Sequence, residues 1–187
     1  MKKLSSLGTG MGLARKRGNM NIVLIGFMGC GKSTIGVKLS YFLRQPLIDT
    51  DKQIERNAGC SISEIFAKQG EECFRQMETQ CLEKLLQEKS SFILSTGGGL
   101  PMREENVKLL KQIGKVVLLR VNADTVYERL KNDTTRPLLQ GDNPRAKIEE
   151  LLTYREPVYE ASADVIVDVE GKSFREILDE IKERTGA

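Results

Sequence analysis

Short apolar runs alternate along the chain with longer segments in which apolar residues recur at helical spacing. The apolar runs predict five strands, at residues 21–26, 46–50, 91–96, 115–121 and 164–169. The amphipathic segments predict helices at 32–44, 52–57, 62–69, 71–89, 103–112, 123–131, 145–160 and 173–184. Strands separated by helices are typical of a mostly parallel sheet covered on both faces. We therefore expect one α/β domain, since 187 residues are enough to bury a core.

Capping residues mark two of the predicted helix starts. Ser61 and Glu64 have the spacing of a capping box, and Asn122 is a candidate N-cap for the helix at 123–131. Residues 132–144 instead combine turn-forming residues with a single arginine and lack apolar periodicity. They are predicted to form a surface loop. This loop is either a solvated connector or a lid that excludes water from a phosphoryl-transfer site.

The first predicted strand leads directly into a glycine-rich loop with the pattern Gly26-x4-Gly31-Lys32-Ser33. A strand before this loop and an amphipathic helix after it are the context in which the pattern binds phosphates. Its glycines let the backbone turn tightly and point N–H groups at phosphate oxygens. Lys32 adds a positive charge, Ser33 offers a hydroxyl to Mg²⁺, and the helix N-terminus favours the same anion. The segment predicts a nucleoside triphosphate site rather than a chance surface turn.

Two aspartates close the second predicted strand, which ends in Ile48-Asp49-Thr50-Asp51. Ligands bind at this carboxyl edge in open α/β sheets. Because alternate strand residues share a face, Asp49 and Asp51 are predicted to point into one crevice. One carboxylate could serve a metal ion, and the other could accept the hydrogen bond or proton of a hydroxyl substrate. A strand end followed by an aspartate helix cap explains either residue alone.

Several arginines and a run of glycines extend the candidate site. Arg75 and Glu78 are spaced i, i+3 on a predicted helix, which permits a surface salt bridge or a guanidinium oriented to grip a carboxylate. Either Arg136, in the predicted loop, or Arg155 could be an ordinary surface charge. Arg136 is also a candidate arginine finger. The third strand ends in the run Thr96–Gly99. Its three glycines indicate unusual backbone angles or a ligand pressed against the main chain.

The charge of the chain is unevenly distributed. The net charge is +3, but residues 1–19 carry five basic and no acidic side chains, which leaves −2 on residues 20–187. A weakly acidic body argues against a nucleic-acid-binding protein. We expect residues 1–19 to be a disordered basic extension of one domain at 20–187. A tether to nucleic acid or an anionic surface stays open as an alternative for this extension.

The sequence has neither a signal-peptide pattern nor a run near the roughly 20 apolar residues of a membrane span. Histidine is absent and the four cysteines, Cys30, Cys60, Cys73 and Cys81, include no Cys-x-x-Cys pair, which argues against structural zinc. We expect a cytoplasmic protein with reduced thiols.

Together these motifs resemble those of shikimate kinase, a small P-loop enzyme of aromatic amino-acid biosynthesis. The resemblance covers about residues 20–187. Seven motifs follow the family's order: Gly-Phe-Met-Gly-Cys-Gly-Lys-Ser-Thr at 26–34, Asp-Thr-Asp at 49–51, Ile-x-Glu-Ile-Phe at 62–66, Gly-Glu-x-x-Phe-Arg-x-x-Glu at 70–78, Thr-Gly-Gly-Gly at 96–99, Arg-Pro-Leu-Leu at 136–139 and Tyr-Arg-x-Pro-x-Tyr at 154–159. The resemblance implies a five-stranded parallel sheet flanked by helices, like that of the nucleoside monophosphate kinases, with a mobile lid. It also implies a monomer.

On the nucleotide side, the resemblance implies that six loop residues cradle the ATP phosphates: Gly29, Cys30, Gly31, Lys32, Ser33 and Thr34. Lys32 would contact the β and γ phosphates and act in catalysis. Ser33 would bind Mg²⁺, and Asp49 would hold the metal through water. Arg129 would lie against the adenine, and Arg136 would close onto the phosphates as a catalytic group. Cys30 replaces the Ser or Ala that is frequent in the family.

On the substrate side, the resemblance implies that Asp51 binds the shikimate hydroxyls, with a further role as a base. Arg75 and Arg155 would bind the shikimate carboxylate, and Glu78 would orient Arg75. The turn that contacts shikimate through its backbone would comprise Gly97, Gly98 and Gly99. Lys172 stands where some members place an arginine near the adenine, so a nucleotide role is not assigned to it.

The reaction implied is phosphorylation of shikimate at its 3-hydroxyl by Mg²⁺–ATP, giving shikimate 3-phosphate and ADP. A gluconate kinase on the same scaffold would also explain the P-loop and the loop at 132–144, although two arginines and a triple glycine suit a carboxylated ring polyol better. A nucleotide kinase would call for more cationic groups around the acceptor. A non-catalytic nucleotide-binding module is the alternative from another class, and the presence of both Asp49 and Asp51 argues against it.

Overall fold

A computed structural model of the chain describes residues 20–131 and 143–187. In this part of the chain the apolar runs form five strands: β1 (Ile22–Ile25), β2 (Leu47–Asp49), β3 (Ile93–Ser95), β4 (Lys115–Arg120) and β5 (Val165–Asp168). They make one sheet in the order β2-β3-β1-β4-β5, and every neighbouring pair is parallel. The predicted five-stranded parallel sheet is therefore confirmed.

Seven α-helices and one 3₁₀ turn connect and follow the described strands. They are α1 (Lys32–Leu43), α2 (Thr50–Ala58), α3 (Ile62–Leu85), the 3₁₀ turn (Leu100–Met102), α4 (Glu104–Ile113), α5 (Ala123–Leu130), α6 (Pro144–Ser162) and α7 (Phe174–Thr185). All four residues of the central strand β1 are fully buried. Since successive strand residues point to opposite faces, helices must cover both faces of the sheet, as the sequence predicts.

Local capping explains where several helices begin. The capping box of Ser61 and Glu64 is present at the start of α3, and the Asn122 side chain accepts the backbone N–H of Thr125 at 2.8 Å. A second capping box, of Ser173 and Glu176, starts α7 and was not anticipated from the sequence. Each satisfies N–H groups that a helix N-terminus would otherwise leave unpaired.

Most predicted boundaries shift by one or two residues, and two larger differences bear on the site. The second strand ends at Asp49, and α2 begins at Thr50 rather than at residue 52. The helices predicted at 62–69 and 71–89 form the single element α3, which is broken internally at Gly70 (φ 81°, ψ 170°) and ends at Leu85. It ends there because the chain must turn back to enter β3 at Ile93.

The predicted segments at 1–19 and 132–142 lie outside the described residues. The last two residues of the predicted loop do not, because Asn143 caps α6 and Pro144 begins it.

The central position of β1 sets the location of the site. The chain leaves β1 towards β2 on one side, and β4 lies on the other. Ligands in open α/β sheets bind outside the carboxyl ends of the strands, where the order reverses in this way.

Candidate active site

The glycine-rich loop after β1 has the backbone conformation that a phosphate-binding loop requires. Gly26, Gly29 and Gly31 all have positive φ, at 140°, 77° and 102°. A Cβ at Gly26 would also lie 2.7 Å from the carbonyl oxygen of Leu119 on the neighbouring strand β4. The loop therefore turns tightly against the sheet, and Gly31 caps the N-terminus of α1. The positive end of that helix faces the loop.

Lys32 lies under this loop with 9% of its surface exposed. Its Nζ donates to the carbonyl oxygens of Gly26 at 2.7 Å and Phe27 at 3.0 Å, and it lies 3.6 Å from the Cys30 sulfur. These partners are neutral, and none of the ion pairs within the described ranges includes Lys32. Burying an ammonium without an opposite charge is costly. The arrangement accordingly favours an anion at the loop.

A cavity of about 690 Å³ opens at the loop and gathers most of the predicted site residues. Its lining includes Gly29, Cys30, Gly31, Lys32, Ser33, Thr34, Asp49, Asp51, Gly97, Gly98 and Arg129. Its far end is formed by the start of α7, with Lys172, Ser173 and Phe174. Arg75, Gly99 and Arg155 are not part of this lining; Gly99 directly follows the lining residue Gly98, and Arg75 lies against Gly99.

Asp49 and Asp51 both reach the cavity, but the predicted reason was wrong. They are not alternate residues of one strand, because Asp49 ends β2 and Asp51 lies in the first turn of α2. Asp49 also caps α2, as the alternative interpretation of this segment predicts, since its Oδ1 accepts the backbone N–H of Lys52 at 3.3 Å. The buried hydroxyl of Thr50 accepts the N–H of Gly97 at 3.0 Å. Thus α2 is tied directly to the glycine turn.

The three glycines after β3 provide space rather than unusual backbone angles, since none of them has positive φ. A Cβ at Gly97 would lie 2.7 Å from Asp51 Oδ1 and 3.1 Å from Glu78 Oε1. A Cβ at Gly99 would lie 2.6 Å from Arg75 Nη1. The turn therefore allows two carboxylates and a guanidinium to approach the main chain closely.

Arg75 and Glu78 form a half-buried ion pair, not a surface salt bridge. Arg75 Nη1 donates to Glu78 Oε2 at 2.8 Å, and the Glu78 side chain is only 1% exposed. Arg75 also donates to Glu71 through Nε at 3.2 Å and Nη2 at 2.9 Å. Glu71 was missed by the sequence analysis, although its i, i+4 spacing to Arg75 signals the pair. Two carboxylates thus fix the plane of the guanidinium.

The buried position of Glu78 changes the pKa of its carboxyl group. Burial raises its pKa to about 7; the charge of Arg75 opposes that shift, and the nearby Asp51 adds to it. Its Oε1 is buried and has no hydrogen-bond partner within residues 20–131 and 143–187. Glu78 is consequently poised to exchange a proton near neutrality.

Helix α6 supplies Arg155 and a residue that the sequence analysis did not assign. The Arg155 guanidinium carbon lies 5.8 Å from the centroid of the Phe27 ring in the phosphate loop. Tyr159, four residues further on, is 2% exposed and donates its hydroxyl to the Gly98 carbonyl at 2.5 Å. Burial raises the pKa of Tyr159 to about 12, against the lowering effect of the positive charge of Arg155. The i, i+4 spacing of the two residues was the available signal.

The remaining predicted residues have simple environments. Arg129 donates to the Gly29 carbonyl at 2.8 Å, which places it at the edge of the phosphate loop. Lys172 lines the cavity but pairs with Glu180 at 2.6 Å. Arg136 lies outside the described residues, so its role stays a prediction.

The donors around the loop fit a magnesium ion. The Ser33 hydroxyl and the Asp49 carboxylate line the same cavity, and both are oxygen ligands of the kind Mg²⁺ prefers. The described residues contain no cluster of three or more His, Cys, Asp or Glu side chains suited to a metal. Mg²⁺ at phosphate sites typically uses one or two protein oxygens with the substrate phosphates, so two donors suffice.

The parallel sheet, the loop after β1 and the two aspartates at the end of β2 and the start of α2 define a P-loop kinase fold. Residues 28–185 match the family model described as shikimate kinase. The chain therefore belongs to the shikimate kinase family, as its motifs predict, and it is a kinase. A gluconate kinase or a non-catalytic module is not favoured.

Individual relatives agree with the family match. The chain is 46% identical to the shikimate kinase of Thioalkalivibrio sulfidiphilus, over 86% of this chain and 84% of the relative. It is 45% identical to that of Thermodesulfovibrio yellowstonii, over 86% and 92%. A shikimate kinase from Acinetobacter baumannii, solved in complex with shikimate, gives a TM-score of 0.82 at 37% identity, covering 88% of this chain and 92% of that one.

None of the helices in residues 20–131 and 143–187 is both long and apolar enough to cross a membrane.

Proposed function

We propose that the chain transfers the γ-phosphoryl group of ATP to the 3-hydroxyl of shikimate, giving shikimate 3-phosphate and ADP. The observation that carries this proposal is that one cavity joins the phosphate loop to Asp51 and the glycine turn. Behind that turn lies a guanidinium oriented by Glu78 and Glu71. Family membership and the shikimate complex of the A. baumannii relative support the same substrate.

On the nucleotide side, the loop from Gly29 to Thr34 would surround the ATP phosphates. Lys32 would exchange its present carbonyl partners for the β and γ phosphate oxygens. Arg129 would lie beside the nucleotide at the loop edge. We assign Ser33 and Asp49 to Mg²⁺, which supplies charge neutralisation and orientation of the phosphates when bound.

On the acceptor side, Asp51 would bind the ring hydroxyls and Arg75 would bind the carboxylate as a planar fork. Arg155 would bind the same carboxylate from α6, and the Gly98 N–H would contact the ring. This division of roles suits a small carboxylated polyol, because one anionic group needs cationic partners and several hydroxyls need acceptors.

Catalysis in this scheme comes from positioning and charge. Phosphoryl transfer passes through a loose transition state, so the protein must align the two oxygens and stabilise the charge on the moving group. Lys32 supplies that charge within the described residues, and the sequence assigns Arg136 to the same task. Asp51 would accept the proton of the reacting hydroxyl.

We further propose a cytoplasmic monomer that acts on these small molecules alone, without nucleic acid or membrane partners. This part rests on the sequence, namely the weak negative charge of residues 20–187 and cysteine spacings that suit reduced thiols.

A substrate panel tests the function directly. Purified protein is incubated with Mg²⁺–ATP and with shikimate, gluconate or AMP, and ADP release is measured for each. Release is expected only with shikimate, and a mass increase of one phosphate on shikimate confirms the acceptor. Turnover of gluconate or AMP without turnover of shikimate would refute the proposal.

A further inference from the structure

We propose that the end of helix α5, formed by Arg129 and Leu130, is a positioning element that holds Gly29 of the phosphate loop in the conformation that binds phosphates. Arg129 would thereby act on the triphosphate through the loop, besides lying beside the nucleotide. The inference rests on the proposed function, because it concerns how the loop would hold the phosphates of ATP.

The first step of the argument is the turn that contains Gly29. In residues 27–30 the Cys30 N–H donates to the Phe27 carbonyl at 3.2 Å, which closes a β-turn with Gly29 in its third position. The φ of 77° at Gly29 is a positive value that favours glycine there. The hydrogen bond that closes the turn leaves the Gly29 carbonyl available to a donor from elsewhere in the fold.

The second step is that Arg129 is this donor. Its Nη1 donates to the Gly29 carbonyl at 2.8 Å, across 100 positions of sequence. The same Nη1 lies 3.9 Å from the place that a Cβ on Gly31 would take, so the guanidinium lies along the loop. A carbonyl oxygen turned towards the phosphates would repel them, since it carries partial negative charge. A charged donor fixes the direction of this oxygen and offsets its charge.

The third step is a contact of Leu130 with the same glycine. A Cβ on Gly29 would lie 3.2 Å from both Cγ and Cδ1 of Leu130 and 3.4 Å from its Cδ2. Leu130 is buried and therefore packs directly against the Cα of Gly29. Two consecutive side chains of α5 thus contact one residue of the loop, one at its carbonyl and the other at its Cα. This pairing indicates a support for the loop and not a single chance contact.

A ligand without a base separates this role from a contact with the base alone. Tripolyphosphate carries three linked phosphates and has neither ribose nor base. A guanidinium that only touches the base contributes to the affinity for ATP and not to the affinity for tripolyphosphate. A guanidinium that holds the loop contributes to both affinities, because the loop would contact the phosphates of either ligand.

The first test is Arg129→Ala, with titration calorimetry of Mg²⁺–tripolyphosphate, Mg²⁺–ATP and shikimate measured separately. The matched control is Arg56→Ala, at an exposed arginine that also lies near the end of a helix, α2. We expect Arg129→Ala to weaken both phosphate ligands about tenfold. Shikimate affinity should stay within about twofold of the parent, and Arg56→Ala should match the parent for all three ligands. A loss for ATP with unchanged tripolyphosphate affinity would overturn the proposal and leave Arg129 as a base contact.

A second variant, Leu130→Ala, separates positioning from the loss of a positive charge. Its matched control is Leu85→Ala, at a leucine of α3 that is equally 8% exposed and lies outside the cavity lining. We expect Leu130→Ala to weaken tripolyphosphate and ATP about fivefold and Leu85→Ala to leave both unchanged. If Leu130→Ala proves unfolded in thermal melts, Leu130→Val and Leu85→Val give the same comparison with a smaller loss of volume.

Two results of this comparison would overturn the proposal. One is equal phosphate affinities in the Leu130 and Leu85 variants, which would show that Arg129 acts by its charge alone. The other is a loss of shikimate affinity as large as the loss for the phosphate ligands, which would indicate general structural damage. If the parent itself fails to bind Mg²⁺–ATP or to phosphorylate shikimate, the proposed function fails instead.

Discussion

The ammonium of Lys32 is held by carbonyl oxygens of the loop that precedes it. A lysine in this state has lost most of its hydration without gaining an opposite charge, so a bound polyanion would stabilise it. The same side chain ties the loop to the start of α1. We expect a bound phosphate to replace these carbonyl contacts.

Lys32→Ala should abolish turnover while changing the apo unfolding free energy by only about 1 kcal/mol. The difference should appear in thermal melts with Mg²⁺–ATP. The parent is stabilised by about 2.7 kcal/mol when free nucleotide exceeds Kd a hundredfold, and the variant should lose that gain. Lys108→Ala, at an exposed lysine of α4 that pairs with Glu104, is the control and should behave as the parent. A Lys32→Ala protein that nucleotide still stabilises fully would remove Lys32 from the phosphate site.

The raised pKa of Glu78 makes the stability of the domain depend on pH. The unfolded value is 4.5 and the folded value is about 7, so between these pH values the folded state holds the proton more tightly. By linkage, the contribution of Glu78 to stability is then present at low pH and is lost as pH rises towards 7.

Comparison of the parent with Glu78→Gln isolates this effect, because the other titrating groups are common to both. The parent's unfolding free energy, relative to the variant's, is expected to fall from pH 4.5 to 7 and to level off on either side. Urea denaturation at a series of pH values gives the difference. A constant difference across that window would contradict a raised pKa for Glu78.

At the scale of elements, Gly70 divides α3 into a short first part and the part that carries Arg75 and Glu78. Its φ of 81° and ψ of 170° belong to a region that is essentially restricted to glycine. A Cβ there would meet nothing within 4 Å, so the cost of replacing it is conformational and not steric. The break sets the direction in which the second part of α3 approaches the glycine turn.

Gly70→Ala should lower the unfolding free energy by roughly 1–3 kcal/mol. Gln69→Ala, at the exposed residue next to it, should change it by less than about 0.5 kcal/mol. Chemical denaturation of both variants measures the two values. Equal effects would show that the backbone at Gly70 carries no strain for an alanine.

The spacing of apolar residues and the positions of glycines were enough to predict the five strands, the break at Gly70 and the phosphate loop. Each of these features depends on a few neighbouring residues. Asp51 was paired with Asp49 as an alternate strand residue because the sequence alone does not decide between that pairing and an aspartate helix cap. Tyr159 was missed because its partner, Gly98, is 61 residues away. Glu78 was assigned to orient Arg75, but its burial depends on packing between helices. Contacts of that range follow from the assembled fold and not from local pattern.

At the scale of the whole molecule, the described cavity residues all lie between Met28 and Ile177. We therefore expect residues 20–187 to suffice for catalysis. Deleting residues 1–19 should leave kcat and both KM values within about twofold of the full chain, measured with the ADP-release assay. If the shortened protein loses activity, and added salt lowers the activity of the full chain to the same level, the five basic side chains of that segment have a role in catalysis.

The strand order has a consequence for how new specificities could arise. From Leu47 to Met102 the chain is continuous and contains Asp51, Arg75, Glu78 and all three glycines of the turn, while the phosphate loop belongs to β1, outside that stretch. Apart from Arg155, the residues proposed to bind the acceptor thus lie in one continuous segment of the chain, separate from the phosphate loop. Recombination or directed evolution confined to this segment, with the proposed Mg²⁺ ligand Asp49 kept, should exchange the acceptor while the phosphate loop stays intact.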